Sequence, residues 1–266
     1  MLLTNEQLQA LCRMAEDAGR AVMAVYASDF AAWSKDDASP LTEADLRADA
    51  VIRRGLEAAF PGIFILSEES VSAQQRKGET FFLVDPLDGT KEFLKRNGEF
   101  TVNIALVHQG QVVAGVVLAP ALGELYYAAS GLGAFKRVAG VTTVLQVAAF
   151  DGTTPLRVIG SRSHGADELA AWLAGLPHEH RFVAAGSSLK FCRIASGDAD
   201  IYPRFGLTSQ WDTAAAQCVL ESAGGAVLDL TGHPLLYGLE RPVLNPHFVA
   251  MGDKNLKLLL DLTETL

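Results

Sequence analysis

A layered α/β sandwich is the fold this sequence predicts, on three observations. Two amphipathic helical stretches open the chain, a block of short apolar strands follows, and strands then alternate with helices to the end. Thr4-Asn5-Glu6-Gln7 has capping-box spacing, and Leu8, Leu11, Cys12, Ala15, Ala18 and Val22 continue as one helical stripe. A polar loop from Trp33 to Pro40 leads to a second helix start at Thr42-Glu43-Ala44-Asp45, and that helix stops at Phe60-Pro61-Gly62. Strands are expected at residues 63–66, 81–84, 101–107, 112–118 and 124–128, with Gly110 in a hairpin turn and a short strand or two more before Ala149. The polar stretch Asp151-Gly152-Thr153-Thr154-Pro155 marks a boundary between an N-terminal lobe, residues 1–150, and a C-terminal lobe, residues 151–266. The second lobe reads as strand 156–160, helix 165–175, strand 181–185, helix 187–197, strand 199–203, helix 211–223 and strands 226–229 and 247–251.

With 266 residues and 49% hydrophobic content, the chain can bury a substantial core. A formal net charge of −9 argues against nucleic-acid polymers and anionic membrane surfaces, both of which select basic patches. It leaves room for a small phosphorylated substrate, because bound cations invert the local sign of an acidic cleft. Cys12, Cys192 and Cys218 lie in apolar helical patterns without paired or metal-ligand spacing, as reduced core thiols of a cytosolic protein do. No apolar run reaches membrane-spanning length, and Met1-Leu2-Leu3-Thr4 is too short for a signal sequence. The expected location is the cytoplasm, with peripheral contact at the inner membrane face left open.

The chemistry concentrates at Asp85-Pro86-Leu87-Asp88-Gly89-Thr90, directly after the apolar run Phe81-Phe82-Leu83-Val84. Two carboxylates at a strand end, on a turn expected from Pro86 and Gly89, repel each other unless a cation lies between them. Oxygen ligands of this kind suit a hard divalent ion such as Mg²⁺. An ordinary Asp-Gly turn with solvated acids has the same local composition. Two further acidic segments distinguish the readings: Ser67-Glu68-Glu69-Ser70 after the strand Phe64-Ile65-Leu66, and Asp212 in the opening turn of a helix begun by Trp211-Asp212-Thr213. Either could be local, as a solvated pair or a helix cap; three such sites in one chain can converge on a metal cluster.

In this order, the three segments resemble the inositol monophosphatase superfamily of metal-dependent, lithium-sensitive phosphatases, and the likeness covers nearly the whole chain. Thr90-Lys91-Glu92-Phe93, Ser161-Arg162-Ser163-His164, Gly186-Ser187-Ser188-Leu189-Lys190-Phe191 and Tyr202-Pro203-Arg204-Phe205-Gly206 are similar to its 3′(2′),5′-bisphosphate nucleotidase branch. One departure is Ala216, where the family usually has glycine; its methyl group favours the helix and is expected to be tolerated, the alternative being that it crowds the helix against a neighbouring segment. The resemblance implies a five-layer αβαβα sandwich of the sugar-phosphatase type. It also implies hydrolysis of the 3′-phosphate of adenosine 3′,5′-bisphosphate to AMP and phosphate, a by-product removal that supports sulfur assimilation. The alternatives are an inositol or sugar-phosphate phosphatase and a non-catalytic nucleotide sensor. A monomer is favoured over a homodimer.

By the same resemblance, Glu68, Asp85 and the Leu87 carbonyl hold one Mg²⁺ ion, and Asp85, Asp88 and Asp212 a second; a third would rest mainly on Glu68. Thr90, with Asp45 as its acidic partner and Glu68 nearby, would orient the attacking water, without a covalent phosphoenzyme. Backbone N–H groups after Gly89 would meet phosphate oxygens. The second phosphate of a bisphosphate needs cationic and hydroxyl donors, for which Lys190, Arg204, Ser187 and Ser188 are candidates. Ser161 and His164 are candidates for phosphate or ribose. Each has a local alternative: Thr90 or Ser187 as helix caps, Asp45 as a dipole partner, Lys190 and Arg204 as solvated charges. Tyr202 either contacts adenine or fills the sheet.

Overall fold

The computed structural model describes residues 2–28, 32–34, 40–70, 78–161, 166–176 and 178–259. Helix α1 (Asn5–Tyr26) starts at the expected box, Thr4 and Gln7 exchanging side-chain and backbone hydrogen bonds at 2.9 and 3.2 Å. A two-stranded ribbon of β1 (Ala32–Ser34) and β2 (Pro40–Thr42) overlaps both ends of what reads as a polar loop, and α2 (Glu43–Ala59) follows it directly. Strand β3 (Phe64–Ser67) then ends in a 3₁₀ turn, Glu68–Ser70.

Strand β4 (Thr80–Asp88) is longer than its apolar run predicts, because it continues through the acidic motif. The short helix α3 (Thr90–Leu94) leads to β5 (Thr101–His108), β6 (Gln111–Ala119), β7 (Glu124–Ala129), β8 (Gly133–Val138) and β9 (Val141–Val144). These make a seven-stranded sheet in the order β3-β4-β5-β6-β7-β8-β9, parallel at β3–β4 and antiparallel elsewhere. Gln109 and Gly110 both have positive φ, 51° and 80°, the geometry a two-residue hairpin needs to match strand twist.

The remainder alternates as expected: β10 (Leu156–Gly160), α4 (Ala166–Ala174), β11 (His180–Ala184), α5 (Leu189–Ala195), β12 (Ile201–Arg204), α6 (Gln210–Ser222), β13 (Ala226–Asp229) and β14 (Phe248–Met251); a short helix, α7 (Leu256–Leu259), which the sequence reading does not include, follows. Its five strands order as β11-β10-β12-β14-β13.

Three apolar cores define five layers. Alternate residues of an extended strand face opposite sides. On β4, Phe82 and Val84 join Leu8 and Ile52 of α1 and α2, while Phe81 and Leu83 join Phe191 and Leu220 of α5 and α6. The five-stranded sheet covers the other side of α5 and α6 through Tyr202 and Phe248. Its outer face buries Val158 and Val249 with Leu256 of α7 and Trp172 of α4. The order is therefore helices, sheet, helices, sheet, helices. Ala216 is fully buried on α6, and close approach of that helix to β6 is relieved at Gly115, where a Cβ would overlap Cys218 Cβ at 2.8 Å. The three cysteines are buried, and burial pushes the Cys12 and Cys218 thiols up to about 12. Among the described residues, no helix is long and apolar enough to cross a membrane.

Candidate active site

Residues three apart on a regular strand face opposite sides, so Asp85 and Asp88 converge only through an irregularity. Asp85 pairs with Asn103 and Asp88 with Thr101, three steps on β4 against two on β5. This β-bulge inserts one residue and turns both carboxylates to the same face. The sequence pattern predicts a turn beyond the strand for this pair; the structure corrects this to a bulge inside it, with Pro86 in the irregular stretch, where a strand tolerates a residue without an N–H. The chain turns out of the sheet at Gly89, whose φ of 90° disfavours any side chain. A Cβ there would also press on Glu99 O at 3.2 Å and Ser187 Cβ at 3.3 Å.

Three elements bring carboxylates together. Glu68 opens the 3₁₀ turn after β3, whose last residue is anchored by the Ser67 hydroxyl donating to Asp49 Oδ1 of α2. Asp85 is buried on β4 and its Oδ1 accepts the Leu87 N–H at 3.0 Å. Asp212 lies in the first turn of α6, where Oδ2 accepts the Ser209 N–H at 2.8 Å. One carboxylate oxygen from each of Glu68, Asp85 and Asp212 lies within 4.8 Å of the others. Asp212 is thus a helix cap and a cluster member at once.

Asp88 stands apart from this trio. Its Oδ2 accepts the Ser188 N–H at 2.6 Å and lies 2.9 Å from the Ser188 hydroxyl, with Thr101 Oγ1 and Asn103 Nδ2 farther off at 3.4 and 3.5 Å. The Leu87 carbonyl accepts the Thr90 hydroxyl at 3.3 Å, so that hydroxyl binds across the turn, while Gly89 takes the cap position of α3.

The electrostatics of the cluster call for a cation. Burial first, then the charges of Glu68, Asp88 and Asp212, raise the Asp85 carboxyl well above the ordinary range. Burial and Asp88 do the same to Asp212, against the pull of the Ser209 N–H. Hard oxygen donors within this spacing can all reach one ion at the ~2.0–2.6 Å typical of Mg²⁺ and Ca²⁺. The donor set fits a hard divalent ion.

A cleft of ≈ 230 Å³ opens on this cluster. Of the residues expected to meet substrate, Glu68, Asp88, Gly89, Thr90, Ser161, Ser187, Lys190, Tyr202, Arg204 and Asp212 line it. Leu87 and Ser188 are buried to 1% and 2% exposure and do not. Asp45 is buried beneath, where its Oδ2 accepts the Thr42 N–H at 2.8 Å and hydroxyl at 2.6 Å, and its charge adds to the upward push on Asp85. His164 lies outside the described residues.

The cationic residues are not solvated surface charges. Lys190 is 6% exposed and donates to the carbonyls of Ser187 at 2.5 Å and Ala185 at 3.5 Å, and burial lowers its ammonium to about 8. Ser188, not Ser187, takes the cap position of α5, and the Ser187 hydroxyl accepts the Leu189 N–H only at 3.5 Å; Ser187 holds a φ of 46°, a costly conformation for a non-glycine residue, with its carbonyl bonded to Lys190. Arg204 donates through Nε to Gly206 O at 3.1 Å and Nη2 to Leu207 O at 2.7 Å. The Tyr202 ring packs edge-on against Phe191 and Phe248 at 5.3 and 5.7 Å, with Lys190 Nζ 5.2 Å from its centroid. That ring fills the core beneath the cleft.

Sequence reasoning missed Asn103, whose Nδ2 donates to Ser188 Oγ at 2.9 Å, and Thr101 and Asp49. A signal existed for two of them. Thr101 and Asn103 are polar residues two apart in an otherwise apolar strand, hence on one face.

The family model for the inositol monophosphatase family matches residues 4–264. The chain is 49% identical over 245 residues to the 3′(2′),5′-bisphosphate nucleotidase CysQ of Salmonella typhimurium, covering 91% of this chain and 98% of that one. It is 35% identical to the Haemophilus influenzae protein of the same name, at 96% coverage of both. Among solved structures, CysQ from Bacteroides thetaiotaomicron superposes with a TM-score of 0.82 at 36% identity, over 94% of this chain and 98% of the other. With sequence, layers and acidic cluster in agreement, this chain belongs to the inositol monophosphatase family.

Proposed function

We propose that the protein is a Mg²⁺-dependent phosphomonoesterase that removes the 3′-phosphate of adenosine 3′,5′-bisphosphate, yielding AMP and phosphate. The observation that carries this reading is the convergence of Glu68, Asp85 and Asp212 beside a cleft that also presents Lys190 and Arg204. Near-50% identity to nucleotidases over almost the whole length supports the substrate class.

Glu68, Asp85 and the Leu87 carbonyl would hold one ion, and Asp85, Asp88 and Asp212 a second; the proximity of Glu68, Asp85 and Asp212, one oxygen of each within 4.8 Å of the others, supports ligand sets that share Asp85. When bound, such ions polarise a phosphoryl oxygen, lower the pKa of water and stabilise the leaving oxygen. The chain's own contribution is placement. Thr90, at the cleft wall and bonded to Leu87 O, orients the attacking water, with Asp45 as the buried acidic partner. Lys190 supplies positive charge to the phosphate remote from the cluster, and the serines of the wall, Ser161 and Ser187, supply hydroxyls. The cleft lies between an N-terminal lobe, residues 1–150, and a C-terminal lobe, residues 151–266, which contributes Asp212 and the cationic wall. We place the enzyme in the cytoplasm as a monomer.

The test is phosphate release from adenosine 3′,5′-bisphosphate, inositol 1-phosphate and fructose 1,6-bisphosphate under one set of Mg²⁺ conditions. The nucleotide is expected to give the highest kcat/KM. Preference for inositol 1-phosphate would replace the reading with an inositol phosphatase, and no turnover of any of them would leave a binding protein.

A further inference from the structure

Among the residues that line the cleft, most are charged or hydroxylic, and two of the three large apolar ones are already covered: Phe191 and Tyr202 are each 2% exposed. Leu207 is the exception, at 72% exposure. A singly exposed leucine on a protein surface needs no explanation. Leu207 differs because the backbone that presents it is pinned on both sides.

The carbonyls of Gly206 and Leu207 accept from the buried Arg204 guanidinium at 3.1 and 2.7 Å, and the Thr208 carbonyl accepts the Asn245 N–H at 2.8 Å. Asn245 Nδ2 also donates to Thr208 Oγ1 at 3.2 Å and to Ser209 O at 2.7 Å. The loop is therefore fixed between β12 and α6, and it holds an exposed aliphatic side chain at the cleft wall.

We propose that Leu207 is the nucleobase contact of this enzyme, the apolar surface against which the flat face of the base packs. Arg204 is then a positioning residue for that contact through the two carbonyls it holds. The inference rests on the nucleotidase reading. Phosphates and ribose hydroxyls match the charged and hydroxylic lining; the base is the one part of a nucleoside bisphosphate that an aliphatic group serves. An apolar contact of this kind binds ground state and transition state alike, so its loss raises KM and leaves kcat nearly as it was.

The experiment compares the unmodified enzyme, Leu207→Ser and Leu207→Met on two substrates: adenosine 3′,5′-bisphosphate, and methyl ribofuranoside 3,5-bisphosphate, which keeps both phosphates and lacks the base. For Leu207→Ser, the ratio of kcat/KM between the nucleotide and the baseless substrate is expected to fall roughly tenfold, within the range for a lost apolar contact, and through KM. Leu207→Met keeps the apolar surface and is expected to retain the ratio. A ratio unmoved in Leu207→Ser, or a loss carried by kcat on both substrates, overturns the assignment while the nucleotidase reading stands. An unmodified enzyme that does not hydrolyse the nucleotide overturns both.

Discussion

Ser188 and Asp88, 100 residues apart in the chain, are joined by a 2.6 Å hydrogen bond from the Ser188 N–H to Asp88 Oδ2. The Ser188 hydroxyl lies 2.9 Å from the same oxygen and 2.6 Å from the Asp212 carbonyl, and it accepts from Asn103 Nδ2 at 2.9 Å. The start of α5 thereby sets where the bulge carboxylate points and ties it to the start of α6. Ser188→Ala leaves the backbone bond but removes the 2.9 Å partner of the buried Asn103 Nδ2, which keeps only its 3.5 Å contact to Asp88 Oδ2. The expected loss is about 1–3 kcal/mol of stability, read from the urea midpoint, with a higher Mg²⁺ concentration needed for half-maximal rate. An unchanged Mg²⁺ requirement would mean that Asp88 is held by the N–H alone.

Asp212→Asn keeps an acceptor for the Ser209 N–H, so α6 starts as before, but it removes charge from the cluster. Asp88→Asn likewise keeps the side-chain shape. Each change is expected to lower kcat by more than ~10²-fold if paired ions do the chemistry, with far-UV circular dichroism unchanged. Full activity after exhaustive chelation would refute the metal dependence.

Lys190 gives the pH dependence a sign. Burial lowers its ammonium from the ordinary 10.5 to about 8, so the free enzyme loses this cation as pH rises through that value. Because kcat/KM reports the free enzyme, it should fall above about 8 for the bisphosphate. A bound phosphate holds the proton, so the limb moves up in kcat. Lys190→Arg, which stays charged, should erase the limb. For folding the sign is opposite: between about 8 and 10.5 the unfolded chain keeps a proton that the folded chain has released, and this group adds stability as pH rises.

Charge removal at the same position tests substrate placement. Lys190→Met should cost roughly 10–150-fold in kcat/KM on adenosine 3′,5′-bisphosphate, the equivalent of a charge-assisted hydrogen bond of ~1.5–3 kcal/mol, and much less on 3′-AMP. Equal losses on the two substrates would put the second phosphate elsewhere.

Gly115 on β6 is a packing prediction. A methyl group there meets the Ala215 carbonyl and Cys218 Cβ of α6, both part of a rigid helix. Gly115→Ala is expected to destabilise by about 1–3 kcal/mol or more and to lower activity by moving the helix that carries Asp212. Thermal melting and the Mg²⁺ titration of the variant check both.

Lithium should inhibit at millimolar concentration or below in the presence of Mg²⁺. A small monovalent ion fits a hard oxygen site but offsets less of the charge that develops on the leaving oxygen. A titration of lithium at fixed Mg²⁺ measures it, and a flat response would show that the cluster does not admit the smaller ion.

The amino-acid sequence determined the succession of helices and strands and the acidic inventory of this protein. Apolar runs such as Phe81-Phe82-Leu83-Val84 are buried on both faces because a strand between two helical layers has no wet side, and that is legible in composition alone. The order of Glu68, the bulge carboxylates and Asp212 was equally legible, as was the capping chemistry of α1 and α2. Tertiary structure decided how these groups meet. A one-residue bulge, invisible in the apolar pattern, turns Asp85 and Asp88 to one face. Long-range partners decided that Asp88 leans on Ser188 and that Ser67 is tied to Asp49. Periodicity reports which side of its own element a residue occupies; which residue of another element waits there depends on the packing of the layers.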